Sequence, residues 1–598
     1  MVYPRLKRME YLQHNGVLVP PRYKPVGLTI TVRGGNINLS PEAEEMAVAW
    51  AKKIGTPYVE DKVFAENFHK DFSKKLGVQV NPGDVDYSEV IRFVEEQKAA
   101  KNRLSREEKK RQAAERKTLR EQSKERYGYA IVDGVKVELG NYTVEPNSIF
   151  MGRGNHPKRG SWKEGPVEED IELNLSPDAL IPPGRWKGVV WDPDSMWIAR
   201  WRDKLSGKMK YVWFSDSSFL KQRKEIEKFE KARELSEKIS KVQRHILDNL
   251  DSEDLKRRKT ATVCFLIDKL KIRVGDEKDP DEADTVGAST LRPEHVCFNG
   301  DGTVTFDFLG KDSVRHTMRV KLPPKVLKNL REFKSIAKFS LFEGIDSNRV
   351  SEFLDEVVEG LSAKVFRTYY ASQAVEKNLK DSNVKPSDPD YVKKHASVLA
   401  NLEAARVCNH KKTIPKNWES SLEKKKSRLK SLKEKAGERQ RRYDARIKDL
   451  EEKYVDRMSK VRSLVDDLNS KLKAVKESSV SSRTVEKHIA SLKKSIRDKE
   501  RMLKSLKSRH LDQVKKIKEQ KEKSRLKDAQ AIESLELQIE AQKKTKDYNL
   551  GTSLKSYIDP RIYHNWGKAV NYDWRKYYPS TLQKKFSWIE LEQDEITE

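Results

Sequence analysis

Residues 447–475 read IKDLEEKYVDRMSKVRSLVDDLNSKLKAV. Ile447, Leu450, Tyr454, Val461, Val465, Leu468, Leu472 and Val475 recur mainly at three- and four-residue steps, the seam of a helix packed on a single partner. The seam stops at Ser478-Ser479-Val480-Ser481-Ser482 and resumes at Val485, Ile489, Leu492, Ile496, Leu503 and Leu506. Two arms of similar length around a serine-rich turn predict a long antiparallel coiled-coil hairpin, each arm reaching roughly 80–95 Å. From Trp418 to Lys546 there is no proline, and Gly437 is the only glycine. The faces are dense in lysine, so the hairpin has little core of its own. Such a segment could belong to a structural rod, and the flanking segments must decide.

The 598 residues allow two to four domains. Apolar and charged residues each make up 36% of the chain, too polar for one compact globule. A net charge of +29, from 122 Lys and Arg against 93 Asp and Glu, favours a polyanionic partner, nucleic acid or an anionic membrane. No apolar run approaches the roughly eighteen residues of a spanning helix, and Met1 to Gly16 lacks a signal-peptide core, so nucleic acid is the expectation. Cys264, Cys297 and Cys408 form no CxxC pair, which predicts a reducing compartment and no structural zinc. Gly310-Lys311-Asp312-Ser313 lacks the upstream glycine of a phosphate loop, so ATP-driven chemistry is not expected.

Outside the hairpin, residues 1 to about 95 mix short apolar runs with turns and a helix over Pro41–Ile54, as an α/β domain does. Glu95 to Arg126 form a charged helical run expected to project from the body. Short strands return from Tyr127 to Phe214. A charged helix over Lys221–Asp248 leads into a more apolar helical region ending near Pro415, with a strand pair at Val304–Leu309 and Val314–Leu322. The last fifty or so residues regain aromatics (Tyr557, Trp566, Trp574, Trp588), as a small packed domain should.

Metal-free transesterification at a phosphodiester needs a hydroxyl nucleophile, fixed cationic donors for the non-bridging oxygens and a proton for the leaving oxygen. Among so many basic residues, only context singles any out. Arg273 follows an apolar helical run and opens an acidic turn. Lys311 sits at the tip between two strands. Arg367 lies on a helix with aromatic neighbours, and His410 ends Val407-Cys408-Asn409-His410 just before the hairpin. Taken singly, each could equally be a surface charge or a structural histidine.

Together with GRGNHPK (152–158), DKLKIRVGDEKD (268–279), EADTVGASTLRPEH (282–295), FDFLGKDSVR (306–315), LSAKVFRTYYAS (361–372), VCNHKK (407–412) and GTSLKSYIDPR (551–561), they carry a specific likeness. The chain resembles the eukaryotic-type DNA topoisomerases of the IB class from about Leu12 nearly to its end, with the hairpin alike in architecture rather than sequence. The resemblance implies four parts: a DNA-clamping α/β cap (1–215), a mainly α catalytic domain with a small β hairpin sheet and a tyrosine recombinase-like fold (216–415), a coiled-coil linker (416–546) and a small helical C-terminal domain with the nucleophile (547–598). It implies that Tyr557 attacks a DNA phosphate to form a 3′-phosphotyrosyl link and free a 5′-hydroxyl. Arg273, Arg367 and His410 would hold the non-bridging oxygens, and Lys311 would protonate the leaving 5′ oxygen. Arg153, His156, Lys158, Lys278, Asp312, Lys364 and Ser556 are the implied further DNA contacts. No metal site is implied and no cofactor required: no ATP, with Mg²⁺ or Ca²⁺ not essential. The implied partner is double-stranded DNA, clamped by a monomer, with no membrane.

Ser556 stands where the family usually has asparagine, and Asp276 replaces another near Arg273. Both lie near where camptothecin-class inhibitors dock, so drug sensitivity does not follow from the resemblance. The core pattern begins almost at Met1, without the long charged tail of the nuclear enzymes. The expectation is an archaeal enzyme of the eukaryotic type on chromosomal DNA in the cytoplasm, or a trimmed piece of a longer chain, nuclear if the source is eukaryotic. His316 reads as an ordinary strand residue, and Tyr563, Tyr572, Tyr577 and Tyr578 read as packing residues. The competing readings are a tyrosine recombinase and a non-enzymatic coiled-coil DNA-architectural protein.

Overall fold

A computed structural model describes residues 8–276, 285–311, 314–477 and 483–590. The chain is mixed α/β, with many helices and several small sheets. It divides into two compact units: Met1–Asp381 with Ala400–Lys411 and Asn549–Glu598, and Ser382–Leu399 with Lys412–Tyr548. Among the described residues no helix is long and apolar enough to cross a membrane.

The first unit begins with two cores. In one, the helices Pro41–Ala51, Lys62–Leu76 and Ser88–Arg103 close over a three-stranded sheet (Gly35–Asn38, Thr29–Val32, Val85–Asp86), burying Trp50, Phe64, Phe68 and Phe72. Trp50 stacks on Phe68 with ring centroids 4.5 Å apart. The other core lies under two sheets, Leu12–His14 with Tyr129–Val132 and Val135–Glu138, and the four strands Gly188–Val190, Ile171–Asn174, Trp197–Arg202 and Met209–Trp213.

The charged run expected as one helix is two, Ser88–Arg103 and Arg106–Tyr127. Ser105 stops the first and caps the second: its hydroxyl accepts from the Glu108 N–H, and the Glu108 carboxylate accepts from the Ser105 N–H. No residue of Arg106–Tyr127 is buried. Nor does the first expected helix reach Ile54; it ends at Ala51.

From Phe219 onward the same unit is mainly helical. Helices Phe219–Asp248, Leu255–Leu270, Pro324–Ile336, Ser347–Asp355 and Ala363–Asp381 surround an antiparallel sheet of Val296–Phe298, Thr303–Gly310 and Val314–Lys321. The tail does not form a core by itself. Leu554, Ile558, Tyr563, Trp574, Phe586 and Trp588 pack with Phe229, Ala371, Val375, Ala400 and Ala404 into one shared cluster. Each buried aromatic of this size contributes on the order of 2–3 kcal/mol, so the tail is anchored by burial.

The second unit is built on two long helices, Trp418–Glu477 and Arg483–Lys544. They run antiparallel: Lys433 pairs with Glu536 at 2.6 Å, Arg439 with Asp528 at 3.0 Å, and Tyr454 stacks on His510 with centroids 4.1 Å apart. Every seam position read from the apolar steps is buried or half-buried. Full burial is confined to Leu422, Val461, Leu492, Ile496, Ile517, Leu535 and Ile539, because two helices alone cover only one stripe of each other. The serine-rich turn at 478–482 lies outside the described residues.

Candidate active site

Tyr557 stands at a joint between two short helices. The Leu550–Ser556 helix ends on it, with the Tyr557 N–H donating to the Ser553 carbonyl. Asp559 then caps the Pro560–Ala569 helix by accepting from the Arg561 N–H, and Pro560 takes the first helical turn, where its missing N–H is harmless. Arg561 folds back onto the Asp559 carboxylate at 2.9 Å and reaches Glu230 of the Phe219–Asp248 helix at 2.5 Å. The Asp-Pro-Arg run is therefore a cap and an anchor. Tyr557 itself is only 8% exposed.

Arg367 lies in the Ala363–Asp381 helix, 2% exposed, and its guanidinium organises the site. Nη1 donates to Tyr557 Oη at 3.0 Å. Nη2 donates to the Cys408 carbonyl at 2.6 Å and faces His410 Nε2 at 2.8 Å. The guanidinium carbon sits 4.6 Å from the Tyr557 ring centroid. Nε is buried without a hydrogen-bond partner among the described residues.

His410 is delivered by a helix end. The Asp390–Val407 helix closes with Asn409 in the left-handed region (φ 51°) and with the His410 N–H bonded to the Ala405 carbonyl. Asparagine tolerates that backbone better than most residues, which explains the Cys-Asn-His run. An arginine can only donate, so Nε2 must accept, and the ring proton lies on Nδ1. Nδ1 donates to Ser553 Oγ at 2.7 Å. Burial pushes His410 down to about 3, and the charges of Arg367 and Arg273 act in the same direction. The resting imidazole is neutral.

Arg273 is half-buried beyond the end of the Leu255–Leu270 helix. Its carbonyl accepts from Ala288, and Ser289 N–H donates to Val274 at 2.8 Å. Gly275 and Gly287 pack so closely that a Cβ on Gly275 would stand 2.7 Å from the Gly287 Cα. Two glycines are needed for that crossing, which begins two residues after Arg273. Lys311 is exposed at the tip beyond Gly310, where the strand ladder closes with the Gly310–Val314 pair. Asn409 Nδ2 contacts Met318 Sδ at 3.4 Å, which places the hairpin strand beside the His410 segment. Arg367, His410 and Tyr557 are thus in direct contact, Arg273 acts on His410 through its charge, and Lys311 is at the hairpin tip.

The remaining expected contacts are dispersed. Arg153, His156 and Lys158 lie on one loop, where Lys158 Nζ donates to the Leu205 carbonyl and His156 Nδ1 accepts from the Lys158 N–H. Asn67 braces that loop by donating to the Pro157 and Arg159 carbonyls, both at 2.8 Å. Lys364 is exposed one turn before Arg367. Ser556 is half-buried, its carbonyl accepting from Lys228 at 3.2 Å. Lys278 and Asp312 lie outside the described residues. Asp276 accepts from the Ser347 N–H at 2.9 Å.

Several participants had no signal in the sequence. Ser553 orients His410. Lys228 and Lys585 donate to the Ser556 and Lys555 carbonyls while sharing Glu225, a half-buried clamp on the two residues before Tyr557. Burial pushes Lys228 down to about 8. Only the shared core brings these groups together. Tyr563, Tyr572 and Tyr578 are buried, and Tyr577 accepts from Asn401 at 2.8 Å, so these tyrosines pack.

The chain matches models described as eukaryotic DNA topoisomerase I, DNA binding fragment, over residues 7–214 and catalytic core over 217–443, and a C-terminal topoisomerase domain over 529–595. It is 32% identical to DNA topoisomerase 1 of Candidozyma auris, covering 98% of this chain and 83% of that protein. The chain belongs to the eukaryotic DNA topoisomerase I family. Other relatives in this family are DNA topoisomerase 1 of Homo sapiens, 31% identical over 98% of this chain and 71% of that protein, and DNA topoisomerase 1 beta of Arabidopsis thaliana, 33% identical over 97% and 58%. The chain thus spans a little over half the length of the plant topoisomerase I. These three relatives are eukaryotic, and they lend no support to the archaeal expectation.

Proposed function

We propose that this chain is a type IB DNA topoisomerase that relaxes supercoiled double-stranded DNA by transient single-strand cleavage, strand rotation and religation. The observation that carries the reading is the Arg367 guanidinium holding Tyr557 Oη and His410 Nε2 together in one buried site. Tyr557 Oη attacks the scissile phosphorus, the bond from phosphorus to the 5′ oxygen breaks, and a 3′-phosphotyrosyl ester remains. Arg367, Arg273 and His410 hold the non-bridging oxygens, where fixed donors in a water-poor site stabilise developing charge most. Arginine suits this role because its fork never loses its charge. Lys311 protonates the leaving 5′ oxygen, and the same groups act in reverse for religation. Exchange of one ester for another conserves bond energy, so torsion in the DNA supplies the drive and neither ATP, Mg²⁺ nor Ca²⁺ is required.

In this reading residues 1–215 cap the duplex, with Arg153, His156, Lys158, Lys278, Asp312, Lys364 and Ser556 against DNA. Residues 216–415 form the recombinase-like catalytic part, 416–546 a coiled-coil linker and 547–598 the tyrosine-bearing tail. The enzyme works as a monomer on chromosomal DNA. Most contacts fall on phosphates, giving strong salt dependence and weak sequence preference.

The test is relaxation of a negatively supercoiled plasmid by dilute protein in EDTA without ATP. Relaxation is expected, and Tyr557→Phe is expected to abolish both it and the covalent protein–DNA adduct while DNA binding persists. A requirement for ATP, or an adduct that survives in Tyr557→Phe, overturns the assignment.

A further inference from the structure

Gly310, immediately before Lys311, is not among the residues with a positive φ, so backbone freedom does not explain a glycine there. The neighbouring ring does. A Cβ on Gly310 would stand 2.6 Å from both Cδ2 and Nε2 of His316, far inside van der Waals contact. The His316 imidazole therefore lies against the Gly310 backbone. It reaches that place by register: His316 is paired with Phe308 across the strand ladder, and the two rings stack with centroids 5.3 Å apart. The ring is 8% exposed, and its Nδ1 has no hydrogen-bond partner among the described residues. The contacts that seat the ring among the described residues are its faces against Phe308 and Gly310. Here the ring's shape is what the fold uses.

The consequence falls on Lys311. A lysine side chain on an exposed tip has several rotatable bonds and little packing of its own. What the fold can fix is the position of its backbone, and the last fixed point before it is Gly310. Burial, with the nearby charges of Arg273, Arg367 and Lys411 acting in the same sense, holds His316 down to about 4, so the ring is neutral and adds no charge to the site.

We propose that the His316 ring, seated between Phe308 and Gly310, is a positioning brace that sets the hairpin tip so that Lys311 reaches the leaving 5′ oxygen. This rests on the role given to Lys311 above, and the test separates the two. Cleavage is measured in single turnover on two DNA substrates, one normal and one with sulfur replacing the bridging 5′ oxygen at the cleavage site. A sulfur leaving group departs as a thiolate and needs no proton, so it spares only defects in proton delivery.

His316→Ala is expected to slow cleavage of the oxygen substrate by about ten-fold or more, since misplacement by an ångström costs that much or more. It should cleave the sulfur substrate at nearly the wild-type rate. His316→Phe keeps a ring over Gly310 and should stay within a few-fold of wild type on both. Gly310→Ala disturbs the same contact from the backbone side, so the test does not depend on His316→Ala folding. It should show the same selective defect, and adding His316→Ala to it should cost less than the two separate losses combined. Equal losses on both substrates, or no loss on oxygen, overturn the brace. Lys311→Ala that is not rescued by sulfur overturns instead the proton-delivery role of Lys311 itself.

Discussion

Ser553 Oγ accepts a hydrogen bond from His410 Nδ1 at 2.7 Å, and Ser553 stands four residues before Tyr557 on the same short helix. The helix that leads to Tyr557 and the imidazole are therefore registered against each other within the folded chain. Arg367 holds the opposite ring nitrogen, so Ser553 is the acceptor that fixes the tautomer.

Ser553→Ala removes that acceptor from a fully buried position. Cleavage in single turnover should fall on the order of ten-fold, the usual worth of one buried hydrogen bond, with DNA affinity unchanged. An unaltered rate would mean that other contacts orient His410.

Arg367→Lys keeps a charge but loses the fork that contacts Tyr557, Cys408 and His410 at once. Cleavage should drop by about 10²–10³-fold, as for loss of a transition-state donor. Because Arg367 is 2% exposed, far-ultraviolet spectra and thermal unfolding should accompany the rates. A variant within ten-fold of wild type would argue that charge alone suffices.

Gly160 lies at φ +89°, and a Cβ there would meet the Phe64 carbonyl oxygen at 2.0 Å. Gly160→Ala should displace the neighbouring loop with Arg153, His156 and Lys158. Weaker DNA binding is expected, with near-normal cleavage of DNA once bound. Gel-shift titrations beside single-turnover rates separate the two.

Burial holds His14 and His316 down to about 4 and His410 to about 3, against about 6.5 in an unfolded chain. Between those values the unfolded chain binds more protons, so stability is undiminished above pH 6.5 and falls as pH drops toward 3–4. In His14→Gln the slope of Tm against pH over this window should be shallower. An identical slope would place the acid sensitivity elsewhere.

Deleting Trp418–Lys544 and joining the ends by a short flexible turn should leave cleavage and religation intact. Arg273, Lys311, Arg367, His410 and Tyr557 all lie outside it. Complete loss of adduct formation by a folded deletion protein would contradict this.

What the residue order disclosed was local or periodic. The seam through Leu450, Tyr454 and Val461 announced two long helices, and alternation around Phe306 and Phe308 announced the strand pair. The break at Ser105 was also written locally, as Ser105-Arg106-Glu107-Glu108, but it was masked by uniform charge on both sides. Contacts between distant segments were not legible. Nothing near Lys228 or Lys585 distinguishes them among 122 basic residues; only their shared Glu225 does, and folding supplies that. His316 read as an ordinary strand residue, and it does lie in the strand, but no pattern revealed that its ring would lie on Gly310.

The tail that carries Tyr557 is held by the core it shares with Phe229, Ala371 and Ala400 rather than by the chain that leads to it. Selection on the chemistry therefore acts on buried positions scattered across more than three hundred residues, while the two long helices answer mainly to their own seam. Insertions, deletions and substitutions should accumulate there faster than in the body. Lineages could lengthen or shorten those arms with no compensating change around Tyr557.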